Sequence, residues 1–311
     1  MEKIFEILDL LSQRDYYNSE LNNLEYGAVE IRYNKDHKYI YTHYTIGEET
    51  KTKYNGDYTD ELYSRLQDNN SYAKRIKKEL RRINNRLDDL GFVQKELTED
   101  VKVNIDIAKR MLSDTIFKQA VLEGVKTTYL KTDDIIQNGK VKNMTVDAVS
   151  IILNLKHAWE FILDKYVIIS PSDYGLLCAI NKHVISGFSW NAGKIRNVPV
   201  SIGGTEWKPD FPIEADIKDD IERIVNKKKS DVDKAIELLL YVSRKQMFLD
   251  GNKRCAVIFA NHYLISKGKG LIVVPDKKVD EYKKLLLEFY ETNNSKNISE
   301  FLKNECYTKL K

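Results

Sequence analysis

Apolar positions change period within the first hundred residues. Over residues 27–58 they alternate: Val29, Ile31 and Tyr33, then Tyr39, Tyr41 and His43, then Thr50, Thr52 and Tyr54. Asn34-Lys35-Asp36 and Gly47 punctuate these runs and Asn55-Gly56 closes the last, which predicts a three-strand antiparallel meander. The period then lengthens. Tyr72, Ile76, Leu80, Ile83, Leu87 and Leu90 recur at three- and four-residue steps, one face of a long helix that Gly91 ends. A boundary is expected within 91–100, separating an N-terminal α+β domain (residues 1–100) from a second domain (residues 101–311).

From about Val101 onward the pattern is helical almost to the end. Helices are predicted over 102–122, 145–164, 172–186, 216–226, 231–247, 253–267, 279–291 and 298–309, with caps at Ser172, Asp231 and Asn297. One interruption stands out: Val198, Val200 and Ile202 alternate before Gly203-Gly204 and Trp207, the pattern of a short hairpin between helices. Five prolines and fourteen glycines in 311 residues agree with a mainly α chain of long helices.

Charge changes this picture locally rather than globally. Fifty Lys and Arg face 47 Asp and Glu, a net charge of +3 that forces no nucleic-acid reading. The long basic helix, however, concentrates Lys74, Arg75, Lys77, Lys78, Arg81, Arg82 and Arg86 against Glu79, Asp88 and Asp89. A solvated face is the plain reading. Nucleic acid held by residues 27–90, with tyrosines stacking bases, is the alternative. Cys178, Cys255 and Cys306, few and far apart, exclude a disulfide framework or a Cys-rich zinc module and favour a reducing compartment. No apolar run suits a bilayer, and the first residues lack a secretory pattern, so a cytoplasmic chain without a membrane partner is expected. A homo-oligomer is left open.

Chemistry concentrates in Gln246-Met-Phe-Leu-Asp-Gly-Asn-Lys-Arg254, between two helical patterns. The first N–H groups of a helix lack intrahelical partners and sit at its positive end. A glycine before them lets the chain curl so that these amides converge on an anion. Lys253 and Arg254 suit that site to polyphosphate, and Asp250 adds the carboxylate expected where Mg²⁺ bridges protein and nucleotide. The alternative for this stretch is an ordinary helical corner in which Asp250 caps and Gly251 turns.

The stretch resembles the motif of the Fic family, including its death-on-curing (Doc) branch: His-x-Phe-x-Asp-Gly-Asn-Gly/Lys-Arg. Phe248, Asp250, Gly251, Asn252, Lys253 and Arg254 stand at matching places. Gly193-Lys-Ile-Arg196 with the 198–204 segment resembles the family's flap. Asn154 to Trp159 and Asn261 to Pro275 resemble its flanking helices, and Leu122-Glu123-Gly124 resembles its N-terminal inhibitory helix. The likeness covers about residues 105–307.

That resemblance implies a Fic-like helical core with a β-hairpin flap, and ATP held with Mg²⁺. It implies transfer of AMP to a Ser, Thr or Tyr hydroxyl of a target protein, as in an adenylyltransferase. Asp250 would hold Mg²⁺, while Gly251, Asn252, Lys253 and Arg254 would bind nucleotide. Phe248 would anchor the loop, Glu123 and Gly124 would form the inhibitory element, and Val200, Ile202, Gly203 and Gly204 would dock the target.

Three departures bear on activity. Gln246 occupies the general-base histidine position, and an amide accepts no proton near neutral pH. Loss of a general base typically removes about 10²–10⁴-fold in rate. Lys253 matches the Asn-Lys-Arg of the death-on-curing branch, which is associated with kinase-like transfer of the terminal phosphoryl group. Val257 replaces a second arginine, the usual partner of the inhibitory glutamate, and Gln119 stands where Ser or Thr usually does. Glu123 then either turns to Arg254 or belongs to a merely structural helix. A degenerate, non-catalytic regulator that binds nucleotide or protein is the competing expectation.

Overall fold

The computed structural model describes residues 2–46, 49–92, 96–139 and 143–310. The chain divides into two compact units, Asp9–Val93 and Met1–Leu8 with Gln94–Lys311.

In the first unit, helix α1 (Glu2–Asn23, begun in the other unit) precedes strands β1 (Ala28–Asn34), β2 (His37–Ile46) and β3 (Glu49–Asp57), then helix α2 (Asp60–Asp89). The strands form an antiparallel sheet in the order β1-β2-β3. Register sorts its two faces. Ile31 lies opposite Ile40 and Val29 opposite Thr42, and Ile40 and Thr42 are the buried residues of β2. Tyr39, Tyr41 and Tyr54 gather on the other face, with ring centroids 5.4 and 6.2 Å apart. Asn55-Gly56 does not close a turn. It lies within β3 at an irregularity beside Ile40, where Asn55 Oδ1 accepts from Thr42 Oγ1 at 2.9 Å. The Gly47 turn falls outside the described residues.

Helix α2 starts on Thr59, whose side chain accepts from Leu62 N–H, and ends before Gly91, which adopts φ +66°. Leu66, Ala73, Ile76, Ile83 and Leu87 form its buried stripe, while all seven basic residues between Lys74 and Arg86 are exposed.

The larger unit comprises α3 (Glu99–Arg110), α4 (Leu112–Leu122), α5 (Tyr129–Asn138), α6 (Val146–Ile162), α7 (Tyr174–Val184), α8 (Glu214–Val225), α9 (Asp231–Lys245) and α10 (Asn252–Ser266). Strand β4 (Leu271–Ile272), α11 (Val279–Thr292), α12 (Lys296–Phe301) and β5 (Tyr307–Thr308) follow, and β4 pairs antiparallel with β5. The helix predicted over 102–122 is two, divided at Met111, although the apolar spacing runs unbroken through the break. The helix predicted over 298–309 stops at Phe301, passes through a π turn and becomes β5, because β4 takes the backbone hydrogen bonds there.

Three caps shift from their expected positions. Asp173, Ser230 and Ser295 occupy the N-cap positions, the first two accepting from Leu176 and Asp233 N–H. Ser172 instead shares a hydrogen bond with the buried His262 at 2.8 Å.

Helix α10 is the core of this unit. Every residue from Arg254 to Ile265 is buried, so the helix is apolar on all sides and lies among α3, α6, α7 and α9. Its polar residues are satisfied internally. Asn261 donates to the Val257 and Ile272 carbonyls and accepts from Ile272 N–H. His262 Nε2 lies 3.0 Å from the Val167 carbonyl, which makes it the protonated ring nitrogen.

Candidate functional site

The loop from Gln246 to Gly251 joins the end of α9 to the start of α10. Its shape follows from three residues. Phe248 is fully buried and fixes the loop to the core. Asn252 clamps the loop on itself, its Oδ1 accepting from Phe248 N–H at 2.9 Å and its Nδ2 donating to the Phe248 carbonyl at 2.8 Å. Gly251 adopts φ +81°, and a Cβ there would lie 2.8 Å from Ile185 and 3.0 Å from Val184, so backbone conformation and space both require glycine.

Helix α10 therefore begins without a side-chain cap. Among the described residues, the N–H groups of Asn252, Lys253 and Arg254 find no backbone acceptor outside the helix. The Gly251 N–H is turned to Asp250 Oδ1 at 2.6 Å. Lys253 forms no ion pair among the described residues, although it sits at the positive end of a helix, where a cation is disfavoured by about 0.3–1 kcal/mol. Unpaired amides and an uncompensated ammonium meet at one place. That arrangement selects an anion.

Arg254 is only 6% exposed and is held from three sides. Its Nη2 donates to Asp250 Oδ2 at 2.7 Å, its Nη1 to the Val184 carbonyl at 3.4 Å, and Glu123 Oε2 approaches its Nε at 3.4 Å. The last contact is an ion pair without a hydrogen bond: Arg254 Nε and Glu123 Oε1 are both buried and unpartnered. Glu123 thus turns to Arg254, the position of its usual partner being Val257, which is buried in the core. Gly124 follows Glu123 at φ +85° and ends α4. Asp250 is 61% exposed and fits a cation ligand by chemistry, as one carboxylate beside an anion site. The described residues hold no cluster of three or more ligating side chains, so a Mg²⁺ there would take its other ligands from phosphate and water.

Gln246 ends α9 with φ +47°, a left-handed conformation uncommon outside glycine. Its amide is committed inward: Nε2 donates to the Ser243 carbonyl at 2.6 Å, and Oε1 accepts from Asn252 Nδ2 at 3.2 Å. Burial pushes the nearby Tyr290 hydroxyl well up, and lifts the Cys255 thiol to about 12, leaving it inert.

The 198–204 segment turns at Gly203-Gly204 but forms no ladder, which corrects the expected hairpin. One side chain does what a ladder would. Arg196 is buried and donates to the Val198 carbonyl at 2.9 Å, to the Pro209 carbonyl at 3.3 Å, to the Asp210 carbonyl at 2.5 Å and to the Gln246 carbonyl at 2.7 Å. The tip is fixed to α11 by Thr205 on Glu291 and by Trp207 stacked on Tyr290. Val200 and Ile202 are half-buried and Gly203 and Gly204 exposed, and the backbone of 198–204 makes no hydrogen bond to other backbone.

The roles of two residues escaped sequence reasoning. Asn181, buried on α7, donates to the Asp250 carbonyl at 3.0 Å and accepts from Gly193 N–H at 2.8 Å, joining the 246–251 loop to the flap's base. Gln119 accepts from Trp159 Nε1 at 2.8 Å and donates to the Arg254 carbonyl at 3.0 Å. An isolated Asn or Gln in a helical pattern carries no signal of such a role.

Residues 171–264 match the family model described as the Fic/DOC family. Fic-1 from C. elegans is similar in fold, with a TM-score of 0.54 at 16% identity over 78% of this chain and 73% of that one. A Fic domain-containing signaling protein from Bacteroides thetaiotaomicron reaches a TM-score of 0.49 at 17% identity, over 62% of this chain and 76% of that one. No curated protein matches the chain in sequence. Among the described residues no helix is long and apolar enough to cross a membrane.

Proposed function

We propose that the Fic/DOC family domain of residues 171–264 belongs to a transferase that binds ATP and moves AMP, or a phosphoryl group, to a hydroxyl of a target protein. The observation that carries this reading is the bare start of α10, where three free amides, the unpaired Lys253 and the buried Arg254 converge. Fixed dipoles and cations aimed at phosphate stabilise charge that develops during transfer without needing to reorganise. Mg²⁺ at Asp250 would neutralise phosphate charge and orient the oxygens. Lys253 fills the space beside the phosphates with a cation, which favours a nucleotide pose presenting its terminal group. The open backbone of 198–204 offers hydrogen-bonding groups to an extended target chain.

Turnover is expected to be low. Gln246 holds its side chain inward and cannot take the hydroxyl proton, so positioning and phosphate electrostatics act without a general base. The same inward amide favours a second reading, in which the domain binds nucleotide and regulates a partner without transfer.

Calorimetry with ATP and Mg²⁺ tests the shared premise: micromolar binding should weaken at least tenfold in Lys253→Ala, and an unchanged affinity would remove the anion site from the account. The same substitution should raise stability of the free protein by about 0.5 kcal/mol, since it lifts a cation from a helix N-terminus. Gln246→His with ATP labelled at the α or γ phosphorus, plus lysate, separates the readings. Labelled protein identifies the group moved, while binding with no label from either version leaves the regulator.

A further inference from the structure

A cleft of about 880 Å³ opens in the larger unit where the flap ends, and none of residues 250–254 lines it. Trp207 and Pro209 form one wall, the outer face of α9 the floor, and the end of α11 with α12 the far side. Arg244 lies with its guanidinium 4.6 Å above the Trp207 ring and 5.9 Å from Phe289, and donates to the Tyr290 carbonyl at 3.2 Å. Its Nε is buried without a partner, and burial holds its pKa below the usual arginine value while the Asp210 carboxylate in the same lining opposes that shift.

The remaining charges of the lining sharpen this. Glu237 is engaged by Lys227 and Lys229, and Asp233 by Lys303 at 2.7 Å. Lys245 and Lys296 line the cleft and form no ion pair among the described residues, and in all the lining carries six Lys and Arg against four Asp and Glu. Trp207 and Pro209 supply apolar wall, while Ile224, Ile236, Leu240 and Phe289 lie buried beneath the cations. A volume of this size accommodates several side chains.

We propose that this cleft receives an acidic segment of the protein substrate, flanking the hydroxyl, with a carboxylate on Arg244. The proposal rests on the reading above that a protein chain is laid along 198–204. Continuity supports it: the residues that end the flap begin the cleft wall, and Arg244-Lys245 immediately precede Gln246. A planar guanidinium already fixed on an indole loses little freedom when it pairs with a carboxylate. The apolar wall of Trp207 and Pro209 distinguishes a peptide, which brings side chains to pack on it, from a bare anion.

The test uses the full chain without nucleotide. Two serine-centred nonapeptides, one with glutamates on one flank and the other with glutamines there, are titrated by calorimetry. The glutamate peptide should bind at least tenfold tighter, and the preference should shrink at high salt. Lys296→Glu, a substitution at an exposed position of α12, should reduce the preference severalfold, and Arg244→Gln should abolish it. Thermal unfolding checks that each variant folds, and Lys296→Glu keeps the test decisive should Arg244→Gln fail. Equal affinity for the two peptides, displacement of the glutamate peptide by inorganic phosphate alone, or indifference to Lys296→Glu would overturn the proposal. Preserved peptide preference in a chain that binds no ATP would sink the transferase reading and leave the cleft.

Discussion

Gly251 shows how much a single position decides. Its left-handed backbone swings the amides of residues 252–254 outward, and its missing Cβ admits Val184 and Ile185. Gly251→Ala meets a conformational penalty of about 1–2 kcal/mol and a steric one besides, so about 2 kcal/mol or more should vanish from urea-unfolding stability. Nucleotide affinity should fall with it. The glycine was legible because Asp-Gly-Asn before a helix has few other uses. Its neighbour Gln246 was legible as an identity and not as a conformation: nothing in one sequence shows an amide turned inward onto Ser243 and Asn252.

At the scale of elements, α4 is tied to α10 by one glutamine. Gln119→Ala would leave the buried Trp159 indole N–H without an acceptor, at about 1–3 kcal/mol, measurable as a lowered Tm. Restoring function with a second substitution there would be difficult, since the same amide also reaches the Arg254 carbonyl. Helix α5 was passed over because its apolar positions are sparse. Its signals were the Thr128 cap and Gly139 at φ +62°, punctuation rather than periodicity. Helix α10, in contrast, was plain from its dense apolar residues, interrupted by Asn261 and His262.

Helix α10 also gives the element its acid sensitivity. Burial pushes His262 down to about 4. Above pH 6.5 the imidazole is neutral in both folded and unfolded chains and contributes no pH dependence. Between pH 6.5 and 4 the unfolded chain takes a proton that the folded chain refuses, so stability falls as pH falls, by roughly 3 kcal/mol over the window. Comparing unfolding at pH 7.5 and 4.5 in the parent and in His262→Gln checks this: the loss on acidification should be smaller in the variant.

Across the whole molecule, periodicity separated a sheet-and-helix segment from a helical one, because a change from period two to period 3.6 survives any tertiary arrangement. Which face of the meander is buried was not readable. Alternation marks two faces and leaves their roles open, and the structure buries Ile40 and Thr42 rather than the tyrosines. The flap was misread for a related reason. Val198, Val200 and Ile202 alternate as a strand would, but alternation reports extended backbone, and extended backbone can be held by a side chain as well as by a neighbour.

Arg196 is that side chain, and it pins the base of the region while Thr205 and Trp207 hold its tip. Arg196→Lys keeps the charge and loses the planar fork that reaches four carbonyls, so 198–208 should become a preferred site of limited proteolysis. The helices around α10 should stay resistant in the same digest. Because the fourth carbonyl belongs to Gln246 and the Arg196 N–H reaches the Met247 carbonyl, tension on the outer chain would be felt at the 246–251 loop through one residue, a lever arm no longer than an arginine.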